Sequence, residues 1–215
     1  MWLPWPGNED AGDWTVAGHH VYSGEAGAAD LARLLQAGGS GFSGFRFEVD
    51  ESRIGESVVA EIRTGPMRFE RARLPGKAEY VHFVAAREGS VEFEASPTAR
   101  VRVIPDRFGV FGGGAPYHIS CGEGASLLAV SVPGAPLDAR LAGEPVEVLQ
   151  GGRGAQLLAP ALDFFIELRD RRGQLPSRGE MKAADDLLCG MVAALVAEAR
   201  EGTRTLTPGS AGPFL

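Results

Sequence analysis

Between Phe42 and Val132 the apolar residues recur at every second position, and this period limits what the chain can fold into more than any other feature. Phe45, Phe47 and Val49 alternate with Arg46, Glu48 and Asp50. Similar short runs follow in Val58-Val59-Ala60-Glu61-Ile62, Met67-Arg68-Phe69, Tyr80-Val81-His82-Phe83-Val84, Val91-Glu92-Phe93-Glu94, Val101-Arg102-Val103, Phe108-Gly109-Val110-Phe111 and Ser126 to Val132. Successive side chains of a strand point to opposite faces, so alternation of this kind marks strands with one buried face. Turn signals separate the runs: Thr64-Gly65-Pro66, Pro75-Gly76-Lys77, Glu88-Gly89, Ser96-Pro97, Pro105-Asp106 and Gly112-Gly113-Gly114. The 30 glycines and 14 prolines among 215 residues fit a fold of many turns. About eight short strands at this spacing predict an antiparallel sandwich or barrel. No helical stretch interrupts them, as a parallel α/β sheet would require.

The flanks differ in character. Residues 1–41 read as an N-terminal arm followed by a short helix. The arm, to about residue 20, carries Trp2, Trp5 and Trp14, large aromatics that gain by lying against something. The helix is expected from Ala26 to Ala37, with Leu31, Leu34 and Leu35 at helical spacing and Gly38-Gly39 ending it. Residues 42–133 form the barrel. Residues 134–202 turn helical: a short helix at Ala135–Leu141, then one with the stripe Leu157, Leu158, Ala161, Leu162, Phe165 and Leu168. Ser177 and Glu180 form a capping-box pattern that opens a last helix, with Ala184, Leu187, Leu188, Met191, Leu195 and Val196 on one face. The short loop between the two longer helices predicts an antiparallel pair. Residues 203–215 read as a loose tail.

The formal charge is −7 and the pI near 5.2, whereas nucleic-acid modules depend on basic surface to neutralise phosphates. Arg169, Arg171, Arg172 and Arg178 are the best local patch, and they read as a solvated helix end. The N-terminus has no cationic start or apolar run typical of a signal peptide. No run of roughly eighteen apolar residues marks a membrane span. With only Cys121 and Cys189, a disulfide framework is not expected. These features together predict a cytoplasmic protein.

Motifs for chemistry are sparse. Gly38 to Gly44 lacks the Lys-Ser/Thr pair of a phosphate loop and the βαβ setting of a dinucleotide fingerprint. The histidines are His19, His20, His82 and His118, with no His-x-His pair. His82 and His118 can meet inside a barrel, but two ligands do not make a metal set. No metal, cofactor or catalytic residue is assigned. Cys121 reads as a small hydrophobe. One run suggests a cavity: Tyr80, His82 and Val84 share one face of a strand, Val81, Phe83 and Ala85 the other, and both faces are largely apolar. Tyr and His in apolar surroundings are the orienting groups of many ligand pockets. The alternative is a half-exposed face with no ligand.

Several segments in order are similar to the ligand-binding domain of AraC-type regulators. Gly55 to Arg71 resembles the strands that enter the barrel, and Tyr80 to Phe93 the first barrel hairpin. Val103 to Phe111 with Ala115-Pro116-Tyr117 resembles the strand led by Pro-Gly-Asp, although here Pro105-Asp106 lacks the glycine. Leu127 to Pro133 resembles the strand whose proline leads into a short helix. The resemblance implies a mainly β fold with α: a cupin-like antiparallel β-barrel followed by an antiparallel pair of C-terminal helices that dimerise. It also implies a small-molecule effector and a homodimer. DNA and RNA polymerase would be reached only through a helix-turn-helix half, which is expected to be absent here. Trp14, Tyr80, His82 and His118 are the expected ligand-binding residues; the Trp-bearing arm covers the effector or packs on a partner subunit. Leu188, Met191 and Leu195 are the expected dimer contacts, unless they pack only on the preceding helix. A cupin-type small-molecule enzyme and a plain dimerisation scaffold are the competing readings.

Overall fold

A computed structural model describes residues 17–34, 37–41, 44–71, 80–96, 99–112, 117–122, 124–140, 148–151, 156–170 and 177–205. The strands are β1 (Ala17–Ser23), β2 (Ala37–Gly41), β3 (Arg46–Ile54), β4 (Ser57–Thr64), β5 (Met67–Arg71), β6 (Tyr80–Glu88), β7 (Val91–Ser96), β8 (Ala99–Val103), β9 (Phe108–Gly112), β10 (Tyr117–Cys121), β11 (Ala125–Pro133) and β12 (Val148–Gly151). The helices are α1 (Gly24–Leu34), α2 (Gly134–Arg140), α3 (Leu158–Asp170) and α4 (Arg178–Thr205). The strands pair antiparallel in two sheets. One sheet has seven strands in the order β1-β3-β4-β11-β6-β9-β12, the other five in the order β2-β5-β10-β7-β8.

Two apolar cores flank the larger sheet. Phe47, Val49, Ile62, Val84 and Leu127 face a barrel interior shared with Met67, Phe69, Phe93, Val103 and Ile119 of the smaller sheet. Val59, Phe83, Phe108 and Val130 face outward and are covered by Phe165 of α3 and Met181, Leu188 and Leu195 of α4. This second layer explains why both faces of β6 are apolar: its middle strand positions are buried on either side. The Phe83 ring meets Phe108 at 5.3 Å and Phe165 at 5.6 Å between centroids.

Three local expectations are corrected. His19 and His20, read as the end of the N-terminal arm, lie in β1, which pairs with β3 from Ala17↔Ser52 to Ser23↔Arg46. An edge strand needs only one neighbour, so it forms here with weak alternation and with Val21 exposed. Gly38-Gly39 do not cap the first helix, which ends at Leu34; they pair in β2 with Glu70 and Phe69, because ladder hydrogen bonds require only backbone. Within the segment read as helical, Val148–Gly151 is a strand paired with β9. Gly151 is fixed there by close approach: a Cβ would stand 2.0 Å from the Phe108 ring.

Half of the expected capping box forms: the Ser177 hydroxyl caps the helix, and the Glu180 carboxylate meets that hydroxyl and not the Ser177 amide. Glu180 N donates to Ser177 Oγ (3.2 Å), and Ser177 Oγ donates to the Glu180 carboxylate (2.7 Å). The hydroxyl thus satisfies one of the amides left open by the first turn. Ser177→Ala is expected to cost about 1 kcal/mol, read as a shifted urea midpoint at unchanged slope. Further along, Asp185 fastens α4 to the β3–β4 turn, accepting from Glu56 N (3.1 Å) and from Ser57 Oγ.

The apolar stripe of α4 is consumed by this packing. Leu188 and Leu195 are 0% exposed against the sheet, and Met191 packs half-buried at the same core. Leu195 and Leu188 therefore do not stand on the solvent side of α4. The exposed large residue is Leu187, at 59%. Arg169 is likewise not part of a solvated helix end: it is buried and ion-paired with Glu61 of β4 and with Asp170. Arg171 and Arg172 lie outside the described residues. No helix among the described residues is long and apolar enough to cross a membrane.

Candidate functional site

Polar groups on the inner face of a barrel are expensive to keep, so their positions mark where a ligand can be read. On β3 the inward positions run Phe47, Val49, Glu51; the first two lie in the interior core and the carboxyl follows in the same phase. Glu51 is 6% exposed, and among the described residues it makes no hydrogen bond or ion pair. Burial pushes its carboxyl from the usual 4.5 up to about 8, with Arg53 pulling weakly the other way. Burial thus favours the neutral, protonated carboxyl near pH 7.

Strand pairing arranges the neighbours of Glu51. Its row across the sheet is Gly18, Glu51, Ala60, Ala129, Val84 and Gly109, five small or modest residues around one acid. The His20 imidazole leans over Gly18, where a Cβ would stand 2.6 Å from His20 Nε2 and 3.5 Å from Glu51 Oε1. Burial, together with His19, holds the His20 imidazole below its usual range. Tyr22 lies on the same face, its ring 6.3 Å from Phe47, and burial and then Glu51 raise its phenol.

The next row toward the β6 start holds Arg53, Val58, Ser131, His82 and Phe111. His82 is 1% exposed; its Nδ1 lies 2.8 Å from Ser131 Oγ, and its ring sits 5.6 Å from Phe111. Tyr80 begins β6 half-buried, two positions away in the same phase. His82 and Tyr80 thus share one face, as their alternation predicts, and that face is the interior one.

His118 does not join them. On β10 it is Ile119 and Cys121 that face the interior core, which sends His118 outward, 42% exposed and 3.8 Å from Glu70. The expected meeting of His82 and His118 is corrected by this half-step of phase. Trp14 lies outside the described residues, as do Trp2 and Trp5. Among the described residues, no group of three or more His, Cys, Asp or Glu is arranged to hold a metal ion. Cys121 is buried, which pushes its thiol up to about 12 and keeps it a small hydrophobe.

Glu51, Ser131 and His20 were not anticipated as site residues. The first two had a legible signal, since each places a polar side chain in the apolar phase of its strand (Phe47, Val49, Glu51 and Leu127, Ala129, Ser131). His20 had none, because β1 alternates too weakly to set a phase.

Residues 35–207 match the model of the AraC-binding-like domain family. Among solved structures, the AraC-like transcriptional activator CuxR superposes with a TM-score of 0.67 at 16% identity, covering 92% of this chain and 73% of that one. Shorter overlaps occur with an oxalate decarboxylase of Bacillus subtilis, at TM-score 0.32 and 18% identity over 46% of this chain and 28% of that one. An ectoine synthase of P. lautus overlaps at TM-score 0.34 and 12% identity, over 40% of this chain and 64% of that one. No curated protein matches in sequence. The family match covers most of the chain, and the fold it shares with CuxR is the cupin-like barrel with C-terminal helices described above. This chain belongs to the AraC-binding-like domain family.

Proposed function

We propose that this chain is the effector-sensing and dimerising part of an AraC-like transcription regulator, and that it acts by binding rather than by catalysis. A small molecule enters the barrel from the end where Tyr80, His82 and Ser131 lie. What carries this reading is the set of buried polar side chains on the interior face, Glu51 and His82 above all, which is costly to maintain without a ligand to read. Contact with DNA and RNA polymerase then runs through a helix-turn-helix half outside these residues, and the protein works in the cytoplasm. A ligand switches such a protein only if it binds two arrangements unequally. Pocket and helices share one wall: the strands that face the interior carry α3 and α4 on their other side.

A thermal-shift screen of metabolites tests the reading. A ligand present at about one hundred times its Kd stabilises by about 2.7 kcal/mol, a shift of about 5–10 °C in Tm for a chain of this size. A library without any such ligand counts against it.

Dimerisation in this reading uses the exposed edge of α4. Leu187→Glu changes a 59% exposed side chain, so it is expected to leave the fold and Tm nearly unchanged. It should move the chain from dimer to monomer in light scattering at micromolar concentration. A monomeric wild type would overturn the dimer.

A further inference from the structure

We propose that Glu51 is the group by which the barrel interior recognises a positively charged effector, a primary ammonium or an amidinium seated against its carboxylate. This rests on the reading of the interior as the effector site and adds the chemistry of the ligand.

Three observations support it. Among the described residues, Glu51 is the one carboxylate that the pairing registers put on the inner face of the seven-stranded sheet. It is more than nine-tenths buried and makes no hydrogen bond or ion pair there. Burying such a group without a partner costs stability, and a cation restores what the carboxylate lost with its water. Second, its direct neighbours across the sheet are Gly18 and Ala60, and the row continues through Ala129, Val84 and Gly109, so the residues of its own row that adjoin the acid are small, with the His20 imidazole standing over Gly18. Third, aromatic rings surround this interior: Phe47 and Tyr22 on one flank, Phe93 and Phe111 in contact at 4.7 Å on another. A carboxylate in an interior that also holds aromatic rings suits an organic cation better than an anion.

The chain's own nearest cation does not take this place. Arg53, two positions on in the same phase, is exposed and makes no ion pair with Glu51. The titratable or charged groups facing the acid are His20 and Tyr22 from β1, Arg53 from β3 and His82 from β6. Seating a cation converts the neutral carboxyl to carboxylate, so binding near pH 7 releases close to one proton to the solvent. A neutral ligand hydrogen-bonded to the acid releases none.

The test uses benzylamine and benzamidine as cations, with benzyl alcohol and benzoate as neutral and anionic counterparts. Each is titrated calorimetrically at pH 7 in two buffers of different ionisation enthalpy, against wild type, Glu51→Gln and Arg53→Gln. A cation is expected to bind wild type with proton release and Glu51→Gln at least about tenfold more weakly with none. Arg53→Gln should bind it equally well or more tightly. Thermal stability and gel filtration of Glu51→Gln establish that the variant is folded. Binding of benzyl alcohol or benzoate in preference, unaffected by Glu51→Gln, overturns the cation assignment and leaves the effector site standing. Cation binding that survives Glu51→Gln at full strength overturns it as well. If no probe binds wild type at millimolar concentration, both the assignment and the effector reading fall for ligands of this size.

Discussion

Glu61→Ala is expected to destabilise the fold by about 3–5 kcal/mol, a loss as large as that of truncating a fully buried core residue. Glu61 points away from the barrel interior, since Ala60 and Ile62 on either side face inward. It meets the buried Arg169 guanidinium near the end of α3, and both side chains are only 9% exposed. The Arg169 carbonyl in turn accepts from Ser52 Oγ at 3.2 Å, so the same helix end is held at two strands. Removing the carboxylate leaves Arg169 buried with Asp170, itself 59% exposed, as its remaining acid. The loss therefore comes from an uncompensated buried charge rather than from the intrinsic value of the pair. Arg63 and Arg87, also on Glu61 at 3.3 and 3.2 Å, are about half exposed or more and should matter little. Urea unfolding should show Arg63→Ala within about 1 kcal/mol of wild type. The double replacement Glu61→Met with Arg169→Leu should recover most of the loss, because two apolar side chains need no counter-charge. Should Glu61→Ala unfold at the wild-type urea concentration, the pair does not hold α3 to the wall.

The second large effect depends on pH. Burial raises the Glu51 carboxyl from 4.5 to about 8. Below about pH 4.5 it is protonated in both the folded and unfolded chain and costs nothing. Between pH 4.5 and 8 the folded chain holds a proton that the unfolded chain has released. Stability therefore falls as pH rises through this window, and levels off above it. The full loss is on the order of 2–5 kcal/mol, the upper end applying if the carboxyl is wholly shielded from solvent. Glu51→Gln does not titrate, so its unfolding free energy relative to wild type should climb steadily from pH 4.5 to pH 8. Parallel stability profiles for the two proteins would show that Glu51 is solvated in the folded chain. The comparison also bears on function. A group whose removal stabilises the fold near neutral pH is retained at a cost to stability, as residues that read a ligand often are.

The barrel was legible in the chain because its signal is local. Phe45, Phe47 and Val49 each report their own face, and turn residues such as Thr64-Gly65-Pro66 separate the runs. The Ser177 cap of α4, with Glu180 beside it, was equally legible, since both partners lie within one helical turn. Tyr80 and His82 could be read as sharing one face of β6, but which face turns inward could not, because both faces of that strand are apolar. His118 could not be placed, because its run has polar residues on one side and only Ile119 and Cys121 to fix the other. The alternation that marks β3 was read only as far as Asp50, one residue short of Glu51, whose carboxyl continues the apolar phase of Phe47 and Val49.

What the sequence determined, then, is everything set by period: strands that alternate, helices with one apolar stripe, and a family resemblance carried by their order. Tertiary structure decided which partner each face would meet. Leu188 and Leu195 carry the same apolar pattern that a dimer face would, and packing spent them on the sheet. Arg169 carries the same charge as a solvated helix end, and a carboxylate 108 positions earlier in the chain drew it inside. The physical reason is common to these cases. Periodicity records that a side chain leaves water, while the identity of its neighbour depends on strand order and register, which long-range pairing alone establishes.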